Sequence, residues 1–374
     1  MDRRSSWFPS RAPTWRVLLA LLALATGIAL ANRGVAGGSP LAPDVRFTLR
    51  VGYQPYFAEA WSGVLVRALK LHTQHLPRDV AVDFKVGMTG AGALVAALRR
   101  GDVDLAYLGL APTLAVTQNL AQGDFRILAV SSVSKRLCNV ILAQPGTVAA
   151  SPQAALHWLD ARQVAVPDGT CADFFLASVL ERGHAHPARV MNQSFDVLAT
   201  SFREHRVDAV AVWEPMASEL VRTAGAVRLI DGEAIDEASA TFIVVSEALL
   251  HDHADIVRGW LEAERAAQHV MASASATSLP FDALASQVVD LSKDTLRAVW
   301  LGPAGRGAWH SPATFPFAVK PEVRALLARS ASRMAARGNL ASPALRPGTV
   351  ADDAARTLLA ASAAGPVAPV GSGR

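Results

Sequence analysis

Only two cysteines occur in the 374 residues. Cys138 and Cys171 are too few for a disulfide-stapled scaffold and a thin set for a metal site, even beside Met88. They can form one bridge or remain two buried thiols. No block of like charge occurs, and no Lys/Arg stripe is interleaved with aromatics, so nothing points to a nucleic-acid surface. The ten histidines are scattered. His184-Ala185-His186 and His251-Asp252-His253 are spaced i,i+2, which on a helix points them apart. They read as surface residues. No Ser/His/Asp phrase, nucleophile elbow or HExxH occurs. No Gly-Lys-Ser/Thr follows Gly90-Ala91-Gly92, so this is no P-loop. Catalysis, a metal and a cofactor are therefore not expected.

Val17 to Ala31 is an apolar run short of the roughly 20 residues a membrane span needs. Arg3, Arg4, Arg11 and Arg16 precede or open it, and Ala29-Leu30-Ala31 closes it as an A-x-A cleavage site. Residues 1–31 read as a secretory signal cleaved after Ala31. They hold four Arg against one Asp, so without them the formal charge falls from +4 to +1. The exported remainder would meet an oxidising compartment, which favours a Cys138–Cys171 disulfide. With 51% apolar and 18% charged residues, a packed globular body is expected. The length allows one large domain or two or three ordinary ones.

Residues 32–45 are a Gly/Pro-rich leader, and 365–374 a Gly/Pro/Val/Ser-rich tail. Between them, strands are predicted at Arg46–Tyr53, Val80–Val86, Leu105–Leu108, Phe125–Ser132, Asn139–Ala143, Gln163–Val166, Arg189–Asn192 and Ala240–Ser246. Helical spacing runs over Ala58–His75, from Thr89-Gly90-Ala91-Gly92, over Pro112–Leu120, over Ala172–Arg182, and from about His251 onward.

One phrase occurs twice: a helix, a polar turn with an Asp, then a short apolar strand. The copies are Leu94 to Gly109 and Val197 to Trp213. Ligands of open α/β sheets bind outside the carboxyl ends of strands. Two such units about 100 residues apart predict two similar α/β lobes with a cleft between them: 46–132, then 133–239, with 240–364 returning to the first lobe.

The ordered set Leu49-Arg50-Val51-Gly52-Tyr53-Gln54, Thr89-Gly90-Ala91-Gly92, Gly101-Asp102-Val103-Asp104, Leu108-Gly109-Leu110-Ala111-Pro112, Val164-Ala165-Val166-Pro167 and Ala209 to Trp213 with Pro215 resembles the substrate-binding proteins of ABC importers for taurine, aliphatic sulfonates and nitrate. The resemblance covers roughly residues 46–250. It implies a type 2 periplasmic binding protein fold of two lobes with mixed sheets, two crossover strands and a ligand cleft. It also implies delivery of a small-molecule ligand to a membrane permease. A monomer is expected.

The helix start at Thr89, Gly90, Ala91 and Gly92 offers unsatisfied N–H groups and partial positive charge, fit for a sulfonate, phosphate or carboxylate. Leu110 and Ala111 open a second such start. Asp168, Gly169 and Thr170 open a third in the other lobe. Asp168 departs from the uncharged residue usual in the resembling sulfonate binders. Trp213 can wall the cleft and hold an ammonium by its ring face. Glu59 and Glu214 would add negative charge, and Tyr53, Gln54 and Tyr56 polar tips. These acids favour a zwitterion, such as an amino-sulfonate, over a bare anion. One alternative is a synthase or binder of thiamine-pyrimidine precursors on the same fold. The enzyme needs a cleft lysine, and Lys70, Lys85 and Lys135 are not at predicted strand ends. A second is a sensory module anchored by an uncleaved Val17–Ala31 helix.

Overall fold

Ten strands pair into two five-stranded sheets among the residues that the computed structural model describes: 44–86, 91–119, 124–273, 281–288, 290–301 and 312–363. The expected signal, most of the leader, Met88, Thr89, Gly90 and the tail lie outside them. From Val45 on, the chain forms one compact unit.

The first sheet holds β1 (Phe47–Tyr53), β2 (Val80–Val86), β3 (Leu105–Gly109), β4 (Phe125–Ser134) and β10 (Ser239–Ser246), in the order β2-β1-β3-β10-β4. The second holds β5 (Val140–Ala143), β6 (Gln163–Val166), β7 (Arg189–Asn192), β8 (Ala209–Val212) and β9 (Val227–Asp231), in the order β7-β6-β8-β5-β9. Each sheet opens with three parallel strands. The fourth strand runs antiparallel to both neighbours, and it is the one that arrives from the other half: β10 follows β9, and β5 follows β4. One layout is thus built twice, giving the two-lobe α/β architecture expected.

The helices are α1 (Trp61–Ala68), α2 (His72–His75), α3 (Ala91–Arg100), α4 (Leu110–Thr117), α5 (Pro152–Trp158), α6 (Cys171–Gly183), α7 (Phe195–Arg203), α8 (Met216–Ala224), α9 (Glu247–Asp252), α10 (Ala254–Ala272), α11 (Phe281–Ala285), α12 (Lys293–Leu301), α13 (Pro321–Ala336) and α14 (Asp353–Ala363). Helices cover the sheets, so β3 and β8 are buried along their whole length. That is why they read as apolar runs rather than alternations. In α3, the stripe Leu94, Val95 and Leu98 faces inward. Among the described residues no helix is long and apolar enough to cross a membrane.

The local structure departs from the sequence expectation in three places. The helix over Ala58–His75 is broken into a 3-10 turn at Ala58–Ala60, α1 and α2, with Lys70 at φ 54° between the two helices. Strand β9 has no clear pattern of its own; it forms because β5 offers it an antiparallel edge. The C-terminal region is not all helix: Thr314, Phe317 and Val350 each bridge to β4. Helix α13 sends Val323, Leu327 and Met334 into the first-lobe core beside Leu108 and Leu114.

The two crossings, residues 135–139 and 232–238, lie against each other. Gly232 N donates to Asn139 O at 3.1 Å, and Asn139 Nδ2 donates to Glu237 O at 2.9 Å. Lys135 pairs with Asp236. A Cβ on Gly232 would stand 2.1 Å from Glu237 O and 2.5 Å from Lys135 O. Both are backbone atoms, so neither can swing aside. Gly232→Ala is therefore expected to cost about 2 kcal/mol of stability by overpacking, read by urea denaturation. A change below about 0.5 kcal/mol, the range of neutral surface substitutions, would show that the crossings are not packed this tightly.

Candidate ligand site between the lobes

Strand β6 stops at Pro167, and Gly169 takes φ +68°, a left-handed conformation that suits glycine. The turn brings Thr170 to the N-cap of α6. Its hydroxyl donates to Pro167 O at 2.7 Å and accepts from Asp173 N at 3.3 Å. In the first lobe, β3 ends at Gly109 and α4 starts at once, with no side-chain cap. Helix α3 begins at Ala91 after β2.

These three helix starts meet in one hollow. It is lined by Gln54, Phe57, Ala91, Gly109, Pro112, Thr170, Cys171 and Trp213. The space is about 20 Å³, enough for roughly one water-sized group. Gly109 keeps it narrow, since a Cβ there would stand 3.3 Å from the Phe57 ring and 4.0 Å from Cys171 Sγ. Among the described residues that line it, none is charged. The positive character of the hollow is that of helix N-termini: backbone N–H groups and aligned peptide dipoles.

Cys171 is bridged to Cys138, with Cα atoms 6.4 Å apart. The bond ties the first residue of α6 to the crossing between β4 and β5, and so fixes one wall of the hollow to the junction of the lobes. The carboxylate of Asp173, one turn into α6, would oppose an anion. It accepts from Gly169 N at 3.3 Å and is engaged by Arg337, just past α13, at 3.2 Å. The Arg337 guanidinium also lies 4.8 Å over the Phe174 ring.

Gln54 is 7% exposed. Its side chain makes no hydrogen bond within the described residues, and it lines the hollow with its amide donors and acceptor open to whatever enters. Trp213 is wedged between Phe57, edge-on with centroids 6.4 Å apart, and Phe195, stacked at 5.2 Å. Its Nε1 donates to Tyr56 O at 2.9 Å, and Ala58 N donates to Glu214 O at 2.9 Å. Both bonds join one lobe to the other.

The remaining residues expected at the cleft fall in different places. Gly92 is exposed at the start of α3. Leu110 and Ala111 line a neighbouring cavity of about 40 Å³ with Cys171, Glu237 and Arg333. Asp168 is exposed at the turn, and its backbone N donates to Asn192 Oδ1 at 3.1 Å. Tyr53 is buried; its hydroxyl receives Arg67 and donates to Gln287 at 3.2 Å. Tyr56 turns its hydroxyl to Asp290 at 3.1 Å.

Glu214 is 2% exposed. It pairs with Arg228 and accepts from Ser218 N at 2.9 Å, capping α8 within its own lobe. Glu59 lies in the core of the first lobe, where its carboxylate accepts from Ser239 at 3.1 Å and Thr241 at 3.0 Å. Neither acid lines the hollow. Phe57 and Phe195 were not singled out in the sequence. Phe57 directly follows Gln54-Pro55-Tyr56, and that proximity was the one signal for it.

Chemically, the walls of the hollow present the N–H groups of helix N-termini, which suit an oxyanion. Among its described lining residues, Cys171 is bridged to Cys138 and the Thr170 hydroxyl is spent on the turn. Among the described residues no group of three or more His, Cys, Asp or Glu is gathered for a metal.

No protein-family model matches the sequence, and no curated protein matches it. Its fold is similar to several solved structures. The alkanesulfonate-binding protein SsuA of Xanthomonas axonopodis pv. citri, bound to MOPS, aligns with a TM-score of 0.65 at 22% identity, over 81% of this chain and 97% of that one. The periplasmic aliphatic sulphonate-binding protein SsuA of Escherichia coli aligns with a TM-score of 0.65 at 19% identity, over 79% and 94%. The periplasmic nitrate-binding protein NrtA of Synechocystis PCC 6803 aligns with a TM-score of 0.62 at 15% identity, over 86% and 90%. At these identities the likeness is one of fold: the two-lobe architecture of periplasmic binding proteins.

Proposed function

We propose that this chain is an exported receptor that captures a small organic anion of the sulfonate kind for import and performs no chemistry on it. The observation that carries the reading is Gln54. Its amide donors and acceptor are engaged by nothing in the described chain and line the hollow. The hollow is walled by three helix starts, and no charged side chain stands among its described lining residues. An oxyanion would accept from Gln54 and from the open N–H groups of α3, α4 and α6 together. The fold likeness to sulfonate- and nitrate-binding proteins supports the same reading.

In this reading the hollow of about 20 Å³ is a nearly shut form. Ligand enters when the lobes part at the two crossings, which breaks the Trp213–Tyr56 and Ala58–Glu214 bonds. The signal is removed after Ala31, the receptor acts as a monomer in the periplasm, and it passes its ligand to a membrane permease powered by an ATPase.

Calorimetry with methanesulfonate, ethanesulfonate and taurine tests the reading. Wild type is expected to bind at least one of them. Gln54→Ala should weaken that binding about tenfold or more, because a hydrogen bond to a charged group contributes about 1.5–3 kcal/mol. Its melting temperature should stay near wild type, since the amide holds nothing in the folded chain. Wild-type protein that binds no sulfonate, or a variant that binds like wild type, would overturn the assignment.

A further inference from the structure

Two arginines at the end of α13 reach toward the second lobe. Arg333 donates to Glu237 Oε1 at 2.7 Å, on the second crossing. The other oxygen of that carboxylate accepts from Ser178 at 2.5 Å and Arg182 at 3.2 Å, both on α6. Arg337, one turn later, reaches α6 itself. Its Nη2 donates to both oxygens of Asp173, at 3.2 and 3.3 Å, and its guanidinium lies over the Phe174 ring. Helix α13 belongs to the first lobe, where Leu327, Ala331 and Met334 pack with Leu108 and Leu114. Phe174 packs against that same cluster from α6. The contact of Arg337 with Asp173 and Phe174 therefore runs from one lobe to the other.

We propose that Arg337 is the counter-ion that lets the start of α6 accept an anion, and that it is supplied across the cleft only while the lobes lie together. The proposal rests on the anion-receptor reading above and adds what couples closure to binding. Asp173 is the third residue of α6, two after Cys171, which lines the hollow. Its carboxylate accepts from Gly169 N at 3.3 Å, in the turn whose Thr170 also lines the hollow. A carboxylate so close to an anion repels it, and at 8% exposure little water screens the charge. The start of a helix carries about half an elementary positive charge, which the full charge of Asp173 outweighs. Among the described residues Arg337 is the one cation paired with Asp173.

When the lobes part at the crossings, Arg337 leaves with α13 and Asp173 is left unpaired on α6. The open form then holds an anion weakly and the closed form holds it well. By the same difference, an anion at the start of α6 favours closure. The Arg337 side chain is 39% exposed, so the ion pair by itself holds the lobes only weakly. Its effect is on the charge that the anion meets.

Methanesulfonate, ethanesulfonate and taurine serve as probes, and three variants separate charge from packing. Calorimetry at matched salt and neutral pH should find Arg337→Ala about tenfold or more weaker than wild type. Arg337→Lys keeps the charge but loses the flat stack on Phe174, and should bind within about threefold of wild type. The double variant Asp173→Asn/Arg337→Ala should also recover to within about threefold, although the contact between the lobes is still missing. Asparagine retains an oxygen to accept from Gly169 N, so the turn keeps its bond. A role in packing alone predicts the reverse, a double variant as weak as Arg337→Ala. That result, or an Arg337→Ala protein that binds like wild type, would overturn the proposal. If Arg337→Ala does not fold, the other two decide: a double variant about tenfold weaker than Arg337→Lys overturns it, and equal binding supports it. If none of the probes binds wild type, the receptor reading fails and this inference falls with it.

Discussion

Replacing Cys138 and Cys171 together by alanine is expected to lower the unfolding free energy by about 3–4 kcal/mol. The bridge closes a loop with a sequence separation of 33, and the chain-entropy cost that it removes from the unfolded state grows with the logarithm of that length. Cys138 is fully buried in the first crossing, while Cys171 opens α6 and lines the hollow. Loss of the bond should therefore act twice. Global stability falls, and the start of α6 loosens from the junction of the lobes, so ligand affinity falls as well. Guanidinium denaturation of wild type and the double variant measures the first effect, and calorimetry with the tightest sulfonate the second. In the native, unreduced protein a thiol reagent should find no reactive cysteine. Two titrating thiols, or equal stability of the two proteins, would contradict the bridge.

The pH dependence of stability should carry a large contribution from Glu59. Burial pushes its carboxyl up to about 8 from 4.5, and the hydroxyls of Thr241 and Ser239 only partly offset this. Among the described residues one of its carboxyl oxygens, Oε1, has no partner, which suits a neutral acid. Between about pH 4.5 and 8 the folded chain thus holds a proton that the unfolded chain has lost. Stability from this group is fully present below about 4.5 and is lost as the pH rises to about 8, at about 1.4 kcal/mol per unit. Summed over that window the loss is several kcal/mol. Glu59→Gln is neutral at every pH and should remove this slope. Urea denaturation of both proteins from pH 5 to 8.5 should show wild type losing stability against the variant as pH rises. Glu264, also raised by burial, is present in both and cancels in the difference. Parallel curves would mean that Glu59 is ionised in the fold.

Strand–turn–helix units were readable in the sequence because their causes are local. Gln163–Val166 matches β6 at both ends, since Pro167-Asp168-Gly169 cannot continue a strand and Thr170 caps the next helix. The same holds for the break at Gly109 and the start of α4. With two cysteines only one intramolecular pairing existed, so the partner in a Cys138–Cys171 bridge was settled by counting. The doubled phrase anticipated two similar α/β lobes, because apolar strands joined by short helical crossovers pack in few ways; the shared strand order of the two sheets came only with the structure.

Only the tertiary structure decided where the side chains of the cleft segment went. Glu59 and Glu214 are polar residues in the right loops, yet both are buried away from the hollow. Glu214 meets Arg228 and the start of α8. Glu59 meets hydroxyls on β10, about 180 residues later in the chain. A carboxylate is buried only where partners can offset part of its lost hydration, and those partners arrive through packing between distant elements. Trp213 likewise became a wall of the hollow because Phe57 from one lobe and Phe195 from the other pack on it. Local sequence sets where backbone turns expose their N–H groups. Which side chains stand beside them depends on contacts made across the chain.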